Sequence, residues 1–116
     1  MRTIKFRGKR LKGIWKINKS ITQLENGNIR LGGYAIIPET IGQFTGLTDK
    51  NGVEIYEGDI VKVDIFTKNY CIVFGESKKW GASFQYKSDS SIYYLTESFA
   101  KDCLVIGNIF DNPELL

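Results

Sequence analysis

The sequence predicts an all-β fold, a small SH3-like barrel with hairpin extensions and at most short helical turns. Three observations carry that expectation. Runs rich in Ile, Val, Tyr and Phe are punctuated by twelve glycines spread along 116 residues, the texture of short strands separated by turns. Several runs alternate apolar and polar residues with period two, as half-buried strands require. Finally, Glu57-Gly58-Asp59 leads straight into an alternating run over residues 60–66, an arrangement that recurs in small SH3-like barrels. Glycine permits the sharp entry there, and the Asp carboxylate accepts from nearby turn amides.

Strands are expected at residues 4–7, 13–18 and 22–24. In the first, Ile4 and Phe6 alternate with Lys5 and Arg7. Glu25-Asn26-Gly27-Asn28 then turns into a strand at 29–31, since both residues of Asn-Gly accept the positive φ of a type I′ turn. Residues 34–37 form an apolar strand stopped by Pro38, which cannot donate to a ladder. Residues 38–42 fit either one helical turn or an irregular loop. Strands at 43–47 and 53–56 flank Asp49-Lys50-Asn51-Gly52, whose leading Asp and closing Gly suit a short hairpin. In 60–66, Val61, Val63 and Ile65 alternate with Lys62 and Asp64.

Residues 70–74 form the next strand, closed by a turn at 75–79. Trp80, Ala82, Phe84 and Tyr86 then share one face, with Gly81, Ser83, Gln85 and Lys87 on the other. After a polar turn at 87–91, β texture resumes at 92–95. Residues 96–102 are the one stretch that fits a short helix. A buried final strand at 103–110 ends at Asp111-Asn112-Pro113. Leu115 and Leu116 are expected to dock onto the body or onto a neighbouring subunit.

Length and composition define the class. Hydrophobic residues are 42% and charged residues 25%, ordinary values for a globular chain, and the length suits a single domain over residues 1–116. Folding at this size buries about 65% of the unfolded surface, enough for a core. Histidine is absent, which excludes Ser-His and Cys-His catalytic pairs, histidine metal sites and a histidine pH switch. Cys71 and Cys103 are too few for a tetrahedral zinc site, so no metal or cofactor is expected. The charged opening Met1-Arg2-Thr3-Ile4-Lys5-Phe6 lacks the apolar core of a signal peptide. No apolar stretch approaches the roughly 18 residues of a membrane helix. The expectation is a cytoplasmic protein without a membrane partner, holding both cysteines as free, buried thiols.

Charge is polarised. Residues 1–24 carry eight bases and no acid, whereas residues 25–116 carry a net −5. Two readings compete. Lys5, Arg7, Lys9, Arg10 and Lys12 form a nucleic-acid footprint, or they are a solvated strand face whose charges discourage sheet aggregation. Aromatics beside such bases could stack on single-stranded bases, but Trp15, Phe74, Trp80, Phe84 and Tyr94 fall on faces that a small core must fill. The acids Glu54, Glu57, Asp59 and Asp64 could form an acid/base pair or a cation site. On an alternating strand Asp64 instead points to solvent beside Lys62. No phosphate-binding glycine loop is present, and Gly32-Gly33 reads as a bend or bulge. The expected protein is therefore no enzyme but a binding or self-assembling module, possible as a homo-oligomer. A protein partner ranks first, nucleic acid second, and a small carboxylate enzyme last.

Longer motifs point to a family. Phe44-Thr45-Gly46-Leu47-Thr48-Asp49-Lys50-Asn51-Gly52 runs into Glu54-Ile55-Tyr56-Glu57-Gly58-Asp59-Ile60-Val61. The chain closes on Val105-Ile106-Gly107-Asn108-Ile109-Phe110-Asp111-Asn112-Pro113-Glu114-Leu115-Leu116. With the opening Ile4-Lys5-Phe6-Arg7, these segments strongly resemble the YopX family of phage and prophage proteins. There the family commonly continues with Ala-Trp, where this chain has Gly8-Lys9. The resemblance implies a β-rich, SH3-like fold and no catalytic residues to carry over. Gly46, Asp49, Gly52, Gly58, Asp59, Gly107, Asn108 and Pro113 are all turn formers, which speaks for fold maintenance.

Overall fold

A computed structural model describes residues 3–77, 81–89 and 91–116. Trp80, expected on the face of Phe84, lies outside the described residues, as do Lys78, Lys79 and Ser90 of the expected turns. The chain is mostly β, with one six-residue α-helix among the described residues, and it divides into two compact units, Met1–Gly46 and Leu47–Leu116. Among the described residues no helix is long and apolar enough to cross a membrane.

In the first unit, β1 (Phe6–Lys9) lies between β2 (Trp15–Asn18) and the start of β6 (Gly42–Thr48), all antiparallel. β3 (Ile21–Gln23), β4 (Ile29–Leu31) and β5 (Tyr34–Ile36) form a separate meander. Two turn assignments change here. Within Asn26-Gly27 only the glycine has positive φ, and Leu24 N–H donates to Asn28 C=O at 2.7 Å, closing a wider loop. The two-residue hairpin turn is instead Gly32-Gly33, with φ of +58° and +88° and Leu31 paired with Tyr34. A type I′ turn needs positive φ at both central residues, which two glycines supply without strain. Pro38–Thr40 forms a 3-10 turn, and the Thr40 hydroxyl accepts from Lys9 N–H at 2.9 Å. Leu31 and Ile36 are the buried apolar anchors of this meander.

In the second unit, β7 (Glu54–Tyr56) follows β6 through the Asp49 turn. A five-stranded antiparallel sheet then runs in the order β11-β10-β9-β8-β12, where β8 is Asp59–Lys62, β9 Tyr70–Ser77, β10 Gly81–Ser88, β11 Ser91–Tyr94 and β12 Leu104–Asn108. Helix α1 (Glu97–Asp102) sits between β11 and β12 in the chain. It is capped by Thr96, whose hydroxyl accepts from Phe99 N–H at 3.1 Å. Its Ala100 joins Ile55, Val61, Val63, Ile72, Phe84, Leu95 and Cys103 in one core.

The expected SH3-like barrel is not formed: the sheets are open. Closure requires the two edge strands to hydrogen-bond to each other. Here the edges are β11 and β12, and the chain between them folds as α1, which packs Ala100 into the core. The alternating run 60–66 also ends early. The strand stops at Lys62, Phe66 N–H donates to Val63 C=O, and Ile65 is 83% exposed. On β10 the polar-face residue Gln85 is only 3% exposed, while Ala82 is exposed. Its Nε2 donates to Gly75 C=O at 3.3 Å, which satisfies a buried amide that alternation assigns to solvent. β12 is half-buried along its length rather than buried, and Leu116 is exposed.

Candidate functional site

The charge asymmetry follows the division into units. The first holds nine basic residues against two acidic ones, net +7; the second holds seven against eleven, net −4. Strand alternation places Arg7 and Lys9 on one side of β1, opposite Ile17 and Trp15 of β2, with Lys5 in phase just before the strand. Lys5, Arg7, Lys9 and Arg10 are half-buried, and only Lys12 of the five candidates is exposed.

The cations lie over the chain's own rings. Lys5 Nζ is 4.8 Å from the Phe44 centroid, and the Arg7 guanidinium is 5.0 Å from that of Trp15. Arg10 and Lys16 both approach Tyr34, at 4.8 and 4.6 Å. Each such contact contributes about 0.5–1 kcal/mol at an exposed site. Faces occupied by internal cations are not offered to stacking bases.

What the hairpin tip offers outward is aliphatic. Arg10 N–H donates to Ile14 C=O at 2.8 Å, and Gly13, at φ +86°, turns the chain between them. Leu11 is thereby left 83% exposed beside Lys12, with Ile14 and Ile17 also exposed. Leu11 further lines a groove of about 210 Å³ with Leu24, Ile29, Ala35 and Ile37. Sequence reasoning missed these residues. The available signal was a pair of aliphatic side chains in a basic turn, where turn chemistry favours Gly, Asn, Asp and Ser.

The turn formers of the middle and end segments occupy defined places. Asp49 is buried; its Oδ1 accepts from Asn51 and Val53 N–H at 2.9 Å, and its Oδ2 from Val105 N–H at 3.0 Å. Asp59 is 1% exposed, and its Oδ2 accepts from Tyr56 N–H at 2.7 Å. Gly52 and Gly58, at φ +81° and +93°, sit in their turns, whereas Gly46, at φ +86°, and Gly107 lie inside β6 and β12 and not in turns. Asn108 Oδ1 accepts from Phe110 and Asp111 N–H, while Pro113 starts a final 3-10 turn. A Cβ at Gly107 would lie 2.5 Å from Asn112 Oδ1. Of the four acids of the carboxylate hypothesis, Glu57 is half-buried, and the other three differ in role. Asp59 holds its turn, Glu54 accepts from the Tyr56 hydroxyl at 3.1 Å, and Asp64 is exposed and pairs with Lys50 at 3.4 Å. Among the described residues no group of three Cys, Asp or Glu is placed to hold a metal ion.

The two cysteines are free and buried. Cys103 belongs to the core; Cys71 lies on the opposite side of the sheet from its neighbour Ile72, flooring a cleft of about 350 Å³ with Val73, Lys87 and Ile109. Burial pushes both thiols up to about 11, helped by the Asp59 carboxylate at Cys71 and by Asp49 at Cys103. Native alkylation should therefore show an apparent pKa of about 11, above the ordinary thiol value to which it returns after unfolding. Between those values the unfolded chain has released protons that the native chain retains, so stability falls as pH rises. Counting thiols after non-reducing unfolding should give two per chain, and none would reverse the assignment.

On the core side of the sheet, aromatic rings gather at its outer end. Tyr86 stacks on Phe99 with centroids 3.7 Å apart and on Tyr93 at 5.1 Å, while Tyr70 meets it edge-on at 5.2 Å. Burial raises the Tyr86 phenol above its ordinary pKa, with Tyr70 and Tyr93 adding to the shift.

Among curated proteins no relative matches this chain. A solved structure, the crystal structure of protein EF1440 from Enterococcus faecalis, is similar at 25% identity and a TM-score of 0.52. That likeness covers 100% of this chain and 99% of the other. The family model described as YopX protein matches residues 1–116, end to end, and so the chain belongs to the YopX protein family.

Proposed function

We propose that this protein is a non-enzymatic binding module, encoded by a phage or prophage and acting in the host cytoplasm on an acidic protein partner. One observation carries the reading: exposed aliphatic side chains sit at the tip of a hairpin in a unit of net charge +7. Leu11 and Ile14 supply apolar anchors, and Lys12 with the surrounding positive field steers an acidic surface toward them. A phosphate backbone uses cations but gains nothing from solvent-facing leucine and isoleucine.

Affinity capture from prophage-bearing cells, with Leu11→Asp and Ile14→Asp as controls, tests the reading. The expected result is an acidic protein retained by the wild type and lost by both variants. A fluorescence anisotropy titration with single- and double-stranded oligonucleotides runs beside it at about 50 and 200 mM salt. No binding is expected at the lower salt. Tight binding that collapses at the higher salt would transfer the function to nucleic acid, with Lys12 as the first contact to remove.

A further inference from the structure

The five-stranded sheet treats its two edges differently. At one end β12 is half-buried along its length and carries an irregular register between Val105 and Gly107. At the other end β11 pairs with β10 through Gln85 and Tyr94, Tyr86 and Tyr93, Lys87 and Ile92, and Ser88 and Ser91. Among the described residues the sheet order places no strand on its outer side. All four residues of β11 are exposed, with Ile92 and Tyr93 each 44% accessible. The strand has no charge, no proline and no bulge, the devices by which natural edges avoid pairing with other chains.

We propose that β11 is the contact strand of a homodimer, in which two copies join edge to edge, antiparallel, about a two-fold axis. The charge pattern selects a second copy as the occupant. A two-fold axis sets residues against themselves, so any charge at its centre meets its own sign. Ser91-Ile92-Tyr93-Tyr94 is an uncharged stretch, bounded by an acid on each side at Asp89 and Glu97. Asp89 is tied to Lys68 at 2.8 Å, which neutralises the charge on the preceding turn.

The strand is also its own complement. With Tyr93 opposite Tyr93 of the second copy, Ile92 faces Tyr94 on the other side of the sheet. Aromatic–aromatic and aromatic–β-branched pairs are favourable cross-strand neighbours. This register keeps the stacked Tyr86 and Tyr93 rings on one continuous face, so that four rings line up across the axis. Because each second unit carries net −4, raised salt leaves such a dimer unchanged or tightens it. An interface carried by opposite charges responds in the reverse direction, which separates this inference from the acidic-partner reading.

Sedimentation equilibrium on the full chain provides the test, with Tyr93→Lys, Tyr93→Glu and Ile92→Lys beside the wild type. Circular dichroism on each variant guards against misfolding. The wild type is expected to dimerise, and each variant to dissociate about tenfold more readily or beyond. An equimolar mixture of Tyr93→Lys and Tyr93→Glu is expected to recover the dimer, because only the two-fold register sets these residues opposite one another. A wild type monomeric at every concentration overturns the proposal. So does a dimer indifferent to the Ile92 and Tyr93 substitutions, one that dissolves at high salt, or a failure of the mixture to recover it. Monomers that bind an extended apolar peptide through β11 would reassign the edge to strand addition by another protein.

Discussion

Asp49→Ala is expected to destabilise the protein by about 3 kcal/mol. The carboxylate is buried and accepts three backbone N–H groups, two within its own turn and one from Val105, 56 positions further along. Lys50 N–H also donates to Cys103 C=O at 3.1 Å, so the turn is stitched to the start of β12 at two points. Alanine would leave the Val105 donor half-buried without its acceptor, and hydrogen bonds to a charged group are worth about 1.5–3 kcal/mol each. Asp49→Asn separates the contributions. It keeps one oxygen for Asn51 and Val53 but turns an NH₂ toward Val105 N–H, so about half the loss is expected. Urea unfolding midpoints check both variants. If asparagine costs nothing, the link to Val105 is not what the carboxylate provides.

Gly58→Val should cost about 3 kcal/mol, at the upper end of what backbone strain stores. At φ +93° a β-branched residue is a steric outlier, and Gly58 cannot relax by moving. Its N–H donates to Ile72 C=O at 2.8 Å and its C=O accepts from Ile109 N–H at 2.9 Å, fixing it to two other segments. Gly52 is the internal comparison. It has a similar φ of +81°, but a Cβ there would meet nothing within 4 Å. Gly52→Val should therefore lose only the strain of its own turn, about 1 kcal/mol. Equal melting temperatures for the two valine variants would show that the bonds at Gly58 do not restrain it.

Local features were legible from residues alone. The strand at 29–31, the Asp49 and Gly58 turns, and a short helix within 96–102 all stand where the chain indicated. Alternation, glycine φ and capping are decided by neighbours a few positions apart, so sequence contains them. The candidate site was less legible. Lys5, Arg7 and Lys9 follow the expected alternation, yet the rings that cover two of them, Phe44 and Trp15, come from other strands. Leu11 stands out in the sequence only as an aliphatic residue in a basic turn, and the hairpin is what projects it into solvent.

By itself, then, the sequence determined a β-rich chain, its main turns, its polarised charge and its family. Tertiary structure alone decided that the sheet stays open, that Gln85 is buried, that Ile65 is not, and that β11 lies at the end of its sheet. Each of these depends on which distant segment arrives at a strand's side or face. A period-two pattern states that a residue has two possible environments, and only the packed chain assigns one to the core.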